Sequence, residues 1–305
     1  MPNLKPEEYF APFAQIIPDF AAFCNKLSDP LPVHLRMNTL KAPERETRLR
    51  LEQQGLVLVK EDPLKLVYRA ENISQPGHLL EFSLGHLHSQ AFSSVLAALV
   101  LGPKPNEAVL DLCAAPGSKT SLLAQLMKNK GIIVANDRNP DRLIPLAANL
   151  RRLGVTNALI TRYPGQHFPK KFVFDRVLVD VPCSAEGTLR AGPSGALRGS
   201  SWTKQKLTRL QRDLLLTAFD LLKVGGTLVY STCTYAPEEN EGAVQFLLKV
   251  RSAEIQAIAT DLPHSPGLQQ WKEITYDPSI KHCWRIYPHQ IDTVGFFMAR
   301  FVKRF

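Results

Sequence analysis

Val109–Thr120 reads "VLDLCAAPGSKT", and its reading decides the fold. An apolar run ending at Asp111 has the pattern of a strand. Ala114, Ala115 and Gly117 are small enough for a tight turn that a ligand can approach, and Ser118-Lys119-Thr120 opens a helix whose free N–H groups face that turn. The spacing is neither G-x-G-x-x-G nor G-x-x-x-x-G-K, which disfavours a phosphate-gripping ATPase loop. The following strand ends in "VANDRN", with Asp137 placed 26 residues after Asp111. An acid at the end of a second strand accepts hydrogen bonds from ribose hydroxyls. Loop and acid together predict a nucleoside cofactor.

Outward from this stretch, strand and helix patterns alternate. Helix 89–101 precedes strand 108–112, helix 118–129 precedes strand 131–136, and helix 140–153 precedes strand 157–161. Strand 175–180, helix 203–222, strand 226–231, helix 238–250 and a final strand in "TVGFFMARFVKR" follow. Such alternation predicts a doubly wound, mainly parallel α/β sheet. Upstream, residues 1–30 read as helical up to the Asp29-Pro30 breaker. Residues 31–75 read as a small α+β unit with a strand in "VHLRMNTLK", a helix in "PERETRLRLEQQGL" and a hairpin around Asp62-Pro63. The expected organisation is therefore an N-terminal helical segment with a small α+β domain over 1–75, and a catalytic domain over 76–305. The Gly- and Ser-rich stretch 191–201 is expected to be a loop.

The chain has 305 residues, 45% of them hydrophobic, and a net charge of +9. This suits a packed globular protein with a polyanionic partner, nucleic acid first. No apolar run is long enough to span a membrane, and the N-terminus lacks a basic segment followed by an apolar stretch. Five widely spaced cysteines without a CxxC argue against a disulfide framework or a zinc site and for a reducing compartment. A cytoplasmic monomer without bound metal is the expectation.

Two of those cysteines stand out. "DRVLVDVPC" (Asp175–Cys183) and "GGTLVYSTC" (Gly225–Cys233) each place a cysteine just past a strand. In open α/β sheets the chemistry collects beyond the carboxyl ends of the strands. If the two strands are neighbours, their backbones lie about 5 Å apart and both thiols reach one substrate atom. Covalent catalysis is the chemistry this arrangement predicts; a buried free thiol that only packs is the competing reading.

"DLCAAPGSKT", "DVPCSAEGT", "LLKVGGTLVYSTCTYAPEENE" and "WRIYPHQIDTVGFF" occur in that order. Over roughly residues 30–305 the chain resembles the RNA cytosine-5 methyltransferases of the Nol1/Nop2/Sun (RsmB/NOP) family. The resemblance implies a Rossmann-like, S-adenosylmethionine-dependent methyltransferase sheet, mostly parallel with an antiparallel last strand, and a small RNA-recognition-like N-terminal domain. It implies that Cys113, Ala114, Ala115, Pro116, Gly117, Ser118 and Lys119 form the cofactor loop. Asp137 would hold the ribose, with Arg142 beside it, and Asp180 would lie between cofactor and target base. Cys233 matches the family's nucleophile and Cys183 its product-releasing cysteine. DNA cytosine-5 methyltransferases use a Pro-Cys cysteine as the nucleophile, so an exchange of roles stays open. A carboxylate at Asp180 would accept the exocyclic amine of cytosine and reject the carbonyl of uracil.

For RNA contact, Arg36, Asn38, Gln90 and His289 match family positions. Arg190, Arg198, Lys204, Lys206 and Arg209 form a basic stretch around Trp202; solvated or structural roles compete at each. Ribosomal RNA is the expected substrate class and tRNA the next. The sequence ends about ten residues after "GFF", so target selection is expected from the N-terminal unit, surface charge or a protein partner. Three departures from the family pattern matter: Val181 where proline precedes Pro-Cys, Ser118 where glycine is usual, and no carboxylate between Asn157 and Lys171, where an acid usually holds adenine. Backbone atoms or Tyr163 would then hold the adenine, with weaker cofactor affinity. A non-catalytic RNA-binding or assembly protein of the same fold is the alternative.

Overall fold

The computed structural model describes residues 5–61, 66–191 and 201–304. Its small sheet contains β1 (Val33–Met37), β2 (Leu58–Lys60), β3 (Val67–Ala70) and β4 (Leu87–Ser89), in the order β2-β3-β1-β4 and antiparallel throughout. β2 and β3 form the expected hairpin, and the helix Glu44–Gln53 packs Leu51 into a core with Leu35, Met37, Tyr68 and Leu87. β4 lies beyond the boundary expected at residue 75. The small sheet therefore reaches to Ser89, because Leu35–Met37 needs a partner on its second edge.

The large sheet runs outward from β5 (Ala108–Asp111) to β6 (Ile132–Asn136) and β7 (Ala158–Thr161) on one side. On the other side lie β8 (Phe174–Asp180) and β9 (Leu222–Thr232). These five strands are parallel. The C-terminal strand Phe296–Lys303 pairs antiparallel with β9. Helices cover both faces, which is why the strands are continuous apolar runs: Val177, Leu178 and Val179 are all fully enclosed, as are Leu228, Val229 and Tyr230. The direction of winding reverses between β5 and β8, and a crevice opens there beyond the strand ends.

The N-terminal segment departs from a continuous helix. It forms Pro6–Phe10, a short 3-10 turn at Ala11–Phe13 and Phe20–Leu27. Pro12 and Pro18 have no N–H to donate and interrupt the ladder. These pieces do not join the core of the small sheet. Phe10, Phe13, Ile17 and Phe23 pack on Tyr235 and Tyr287 of the large domain, with the Phe23 and Tyr235 rings 5.5 Å apart and edge to face. Tyr235 follows Cys233 by two residues, so the segment buttresses a loop of the large domain. Among the described residues no helix is long and apolar enough to cross a membrane.

Candidate active site

The crevice at the reversal point has a volume of about 200 Å³. Leu112, Cys113 and Ala115 line it from the loop after β5, Asp137 from β6, and Asp180 to Pro182 from β8. The loop is shaped by its own backbone: Ala114 N–H donates to Asn136 O (2.8 Å) and Gly117 N–H to Ala114 O (2.8 Å). Gly117 has φ = 99°, and a Cβ there would lie 2.9 Å from Leu146 Cδ1, so the turn requires glycine. Ala114 and Ala115 pack on Ala135, Leu146 and Leu150. Asn149 Nδ2 holds Pro116 O at 2.9 Å. Burial pushes the Cys113 thiol far up, with Asp111 adding to the effect. Cys113 is therefore an inert wall.

Asp137 is almost fully enclosed. Its Oδ1 accepts from Asn139 N–H at 3.0 Å, and Arg142 Nη1 stands 3.2 Å from Oδ2. Asn139 caps the helix Pro140–Arg152, with proline at its first position, and this sets the distance between the two charged side chains. Oδ2 receives no hydrogen bond among the described residues, so a buried acceptor is left for a ribose hydroxyl. These residues fit a nucleoside. Tyr163 does not reach the crevice: it is 43% exposed and its ring lies edge-on to Phe168 at 5.6 Å. Gly165 and Gln166 line the wall where the usual acid is missing.

Beside the crevice are the two cysteines. β8 and β9 are neighbours with Asp180 opposite Ser231, and Cys183 Sγ lies 3.2 Å from Cys233 Sγ. Cys233 N–H also points at Cys183 Sγ (3.4 Å). Contact with Cys233 first, and burial second, push the Cys183 thiol well above its ordinary range, so Cys183 keeps its proton at neutral pH. Asp180 accepts from Lys119 Nζ and from Ser231 Oγ, each at 2.7 Å. Burial works against the Lys119 charge, but Asp180 outweighs it and holds the ammonium above its usual value.

The cysteine loops are braced from behind by other residues of the same motifs, joined by Gln211 of the helix Ser201–Asp220. Ser184, next to Cys183, and Thr234, next to Cys233, bond each other at 2.9 Å, and both bond Glu186. Glu239 accepts from Ser184 N–H (3.1 Å) and from Gln211 Nε2 (2.7 Å). Gly187 N–H donates to Cys233 O at 2.9 Å, and a Cβ at Gly187 would lie 2.8 Å from that oxygen. Arg285, within "WRIYPHQ", is buried and forks onto Glu241 while donating to Tyr235 O at 3.1 Å. All of these residues but Gln211 fall inside the quoted motifs, but nothing in the string says which of them bond one another.

Several residues expected to touch RNA are otherwise engaged. Arg36 is fully buried, and its guanidinium donates to Gln90 Oε1 (3.0 Å), Ser121 Oγ (2.8 Å) and Gln125 Oε1. Burial, with Arg152 adding repulsion, lowers it to about 9. Asn38 donates to Gly85 O (2.7 Å) and Leu153 O (2.8 Å). Arg36, Asn38 and Gln90 thus join the small sheet to the large domain, out of reach of a phosphate. The Arg190 side chain is 1% exposed and binds Asp292, Asp29 O and Pro30 O; its donors are taken by the protein. His289 stacks on Tyr287 and borders a surface depression with Asn25 and Lys26, so it remains available. Lys204 and Arg209 are exposed on the helix Ser201–Asp220. Arg198 and the Trp202 side chain lie outside the described residues.

Sheet order, glycine turn, ribose-type acid and antiparallel last strand define a Rossmann-like methyltransferase. The model of the family described as 16S rRNA methyltransferase RsmB/F matches residues 98–302. The chain is 41% identical over 284 residues to the human 28S rRNA (cytosine(4447)-C(5))-methyltransferase, covering 90% of this chain and 34% of that one. It is 39% identical over 287 residues to the tRNA (cytosine(49)-C(5))-methyltransferase of Pyrococcus abyssi, covering 93% and 92%. A solved methyltransferase homologue from Pyrococcus horikoshii superposes with TM-score 0.85 at 33% identity, over 97% of this chain and 94% of that chain. This chain belongs to the RsmB/F family of cytosine-C5 RNA methyltransferases. It spans only about a third of the length of the human relative.

Proposed function

We propose that the chain methylates carbon 5 of cytosine in RNA through a covalent adduct on Cys233. The observation that carries this is the pair of sulfurs 3.2 Å apart, beside a crevice that fits a nucleoside. Carbon 5 of cytosine is too weak a nucleophile to take a methyl group directly. Addition of the Cys233 thiolate to carbon 6 makes carbon 5 enamine-like. S-adenosylmethionine, when bound, supplies the methyl group. Carbon 5 then loses its proton to a base, and the bond between Cys233 and carbon 6 breaks. The Cys183 S–H is placed to hydrogen-bond the departing thiolate. Asp180, held by Lys119 and Ser231, has lone pairs left for the cytosine amine, and uracil would present an acceptor to an acceptor.

Cys113 to Lys119, Asp137 and Arg142 form the cofactor wall in this reading. Target RNA meets His289 and the exposed Lys204 and Arg209. Ribosomal RNA is the first substrate class and tRNA the second, as relatives named for each are similar over nine-tenths of the chain. Transfer of labelled methyl groups to total RNA, followed by bisulfite mapping, tests the proposal. If no RNA pool acquires 5-methylcytosine, the proposal fails. Asp137→Ala is expected to weaken binding of S-adenosylhomocysteine roughly tenfold or more, as hydrogen bonds to a charged group contribute about 1.5–3 kcal/mol. Calorimetry reads it directly, and unchanged affinity would remove Asp137 from the ribose site.

A further inference from the structure

The cofactor loop ends on Ser118, the departure from the family's usual glycine, and the structure gives that hydroxyl a partner from another part of the fold. His88, in β4 of the small sheet, is buried and its Nε2 lies 2.9 Å from Ser118 Oγ. Its other ring nitrogen, Nδ1, lies 3.0 Å from Arg152 Nη2. A guanidinium can only donate, so Nδ1 is the acceptor and the neutral imidazole carries its proton on Nε2. That N–H donates to Ser118 Oγ. Burial, followed by the charges of Arg36 and Arg152, lowers His88 to about 3, which keeps this tautomer neutral at every physiological pH. Arg152 is itself fixed: its guanidinium lies 4.0 Å above the Phe82 ring and donates to Phe82 O and Leu87 O.

The same helix is gripped a second time. Ser121 and Gln125, one and two turns beyond Ser118, receive Arg36 of β1, and Gln125 Nε2 donates to Met37 O at 2.9 Å. Both contacts come from the small sheet and both land on the helix Ser118–Leu126 that carries the loop. Lys119, adjacent to Ser118, holds Asp180. A shift at Ser118 therefore reaches the cofactor loop on one side and Lys119–Asp180 on the other.

We infer that His88 is a positioning residue for the cofactor, and that through the His88–Ser118 contact the small sheet is a working part of the cofactor site as well as a domain beside it. The inference rests on the cofactor reading above. It explains how serine is accommodated at the loop end: its hydroxyl is held by a buried donor from β4 and does not intrude on the turn.

The test is a double-variant cycle with S-adenosylhomocysteine as the probe, read by calorimetry on the full chain. His88→Ala is expected to weaken binding about three- to tenfold, the size of one lost hydrogen bond, and His88→Gln, which keeps an N–H donor, to recover part of it. In a Ser118→Gly background, His88→Ala is expected to cost no further affinity. A role confined to packing predicts the same loss in both backgrounds. That result, or unchanged affinity in His88→Ala, would overturn the inference. If His88→Ala does not fold, Ser118→Ala removes the same hydrogen bond from the half-buried partner, and affinity equal to wild type would overturn it. Failure of the wild-type chain to bind the probe would overturn the cofactor reading and the inference with it.

Discussion

Replacing Cys233 with alanine is expected to lower methyl transfer to RNA by three orders of magnitude or more, on the order of what removal of a covalent nucleophile costs. Cofactor affinity should be unchanged, because Cys233 is not among the residues that line the crevice. Cys183→Ala is expected to act differently. The thiolate still adds to carbon 6, but the departing sulfur loses the S–H that stood 3.2 Å away. Enzyme should then accumulate covalently joined to RNA, visible as a slow band under denaturing conditions and absent in Cys233→Ala and in the double variant. The adduct appearing in Cys233→Ala instead would exchange the two roles and return the Pro-Cys cysteine to the part of nucleophile.

The second large effect concerns stability. Glu241→Ala is expected to destabilise the fold by about 3–5 kcal/mol, because it strands the buried Arg285 charge. Glu241 and Arg285 are 0% and 2% exposed, with Nε to Oε1 at 2.7 Å. Burial works against the Arg285 charge, and Glu241 outweighs it. Replacing both by methionine should recover much of the loss, as apolar side chains carry no desolvation penalty. Urea denaturation of the single and double variants measures this. A loss under about 1 kcal/mol in Glu241→Ala would mean that water or another group compensates. Because Arg285 also holds Tyr235 O, the single variant should lose methyl transfer at temperatures below its melting point.

The reach of the sequence differs between the two halves of the site. β5, β6, β8 and β9 are legible because strands buried on both faces are unbroken apolar runs, and the turn Ala114–Gly117 is legible because only small residues fit it. The two cysteines could be placed at neighbouring strand ends on the same grounds. Arg36, Asn38, Gln90 and Arg190 bond protein atoms that the string does not announce, because a polar residue looks the same there whether its partner is a phosphate or a protein oxygen. Arg36 finds Ser121 and Gln125, 85 and 89 positions away, and such partners leave no local pattern. Arg190 likewise reaches Asp29 O across 161 positions.

By itself, the sequence determined the parallel sheet, the small-residue turn after β5, the acid at the end of β6 and the presence of two strand-end thiols. Each depends on periodicity or on residue size within a dozen positions. Only the tertiary structure decided that the thiols touch, that the N-terminal aromatics back the Cys233 loop through Tyr235, and that His88 grips Ser118. These are contacts between segments that are far apart in the chain, and close packing alone brings them within hydrogen-bonding range.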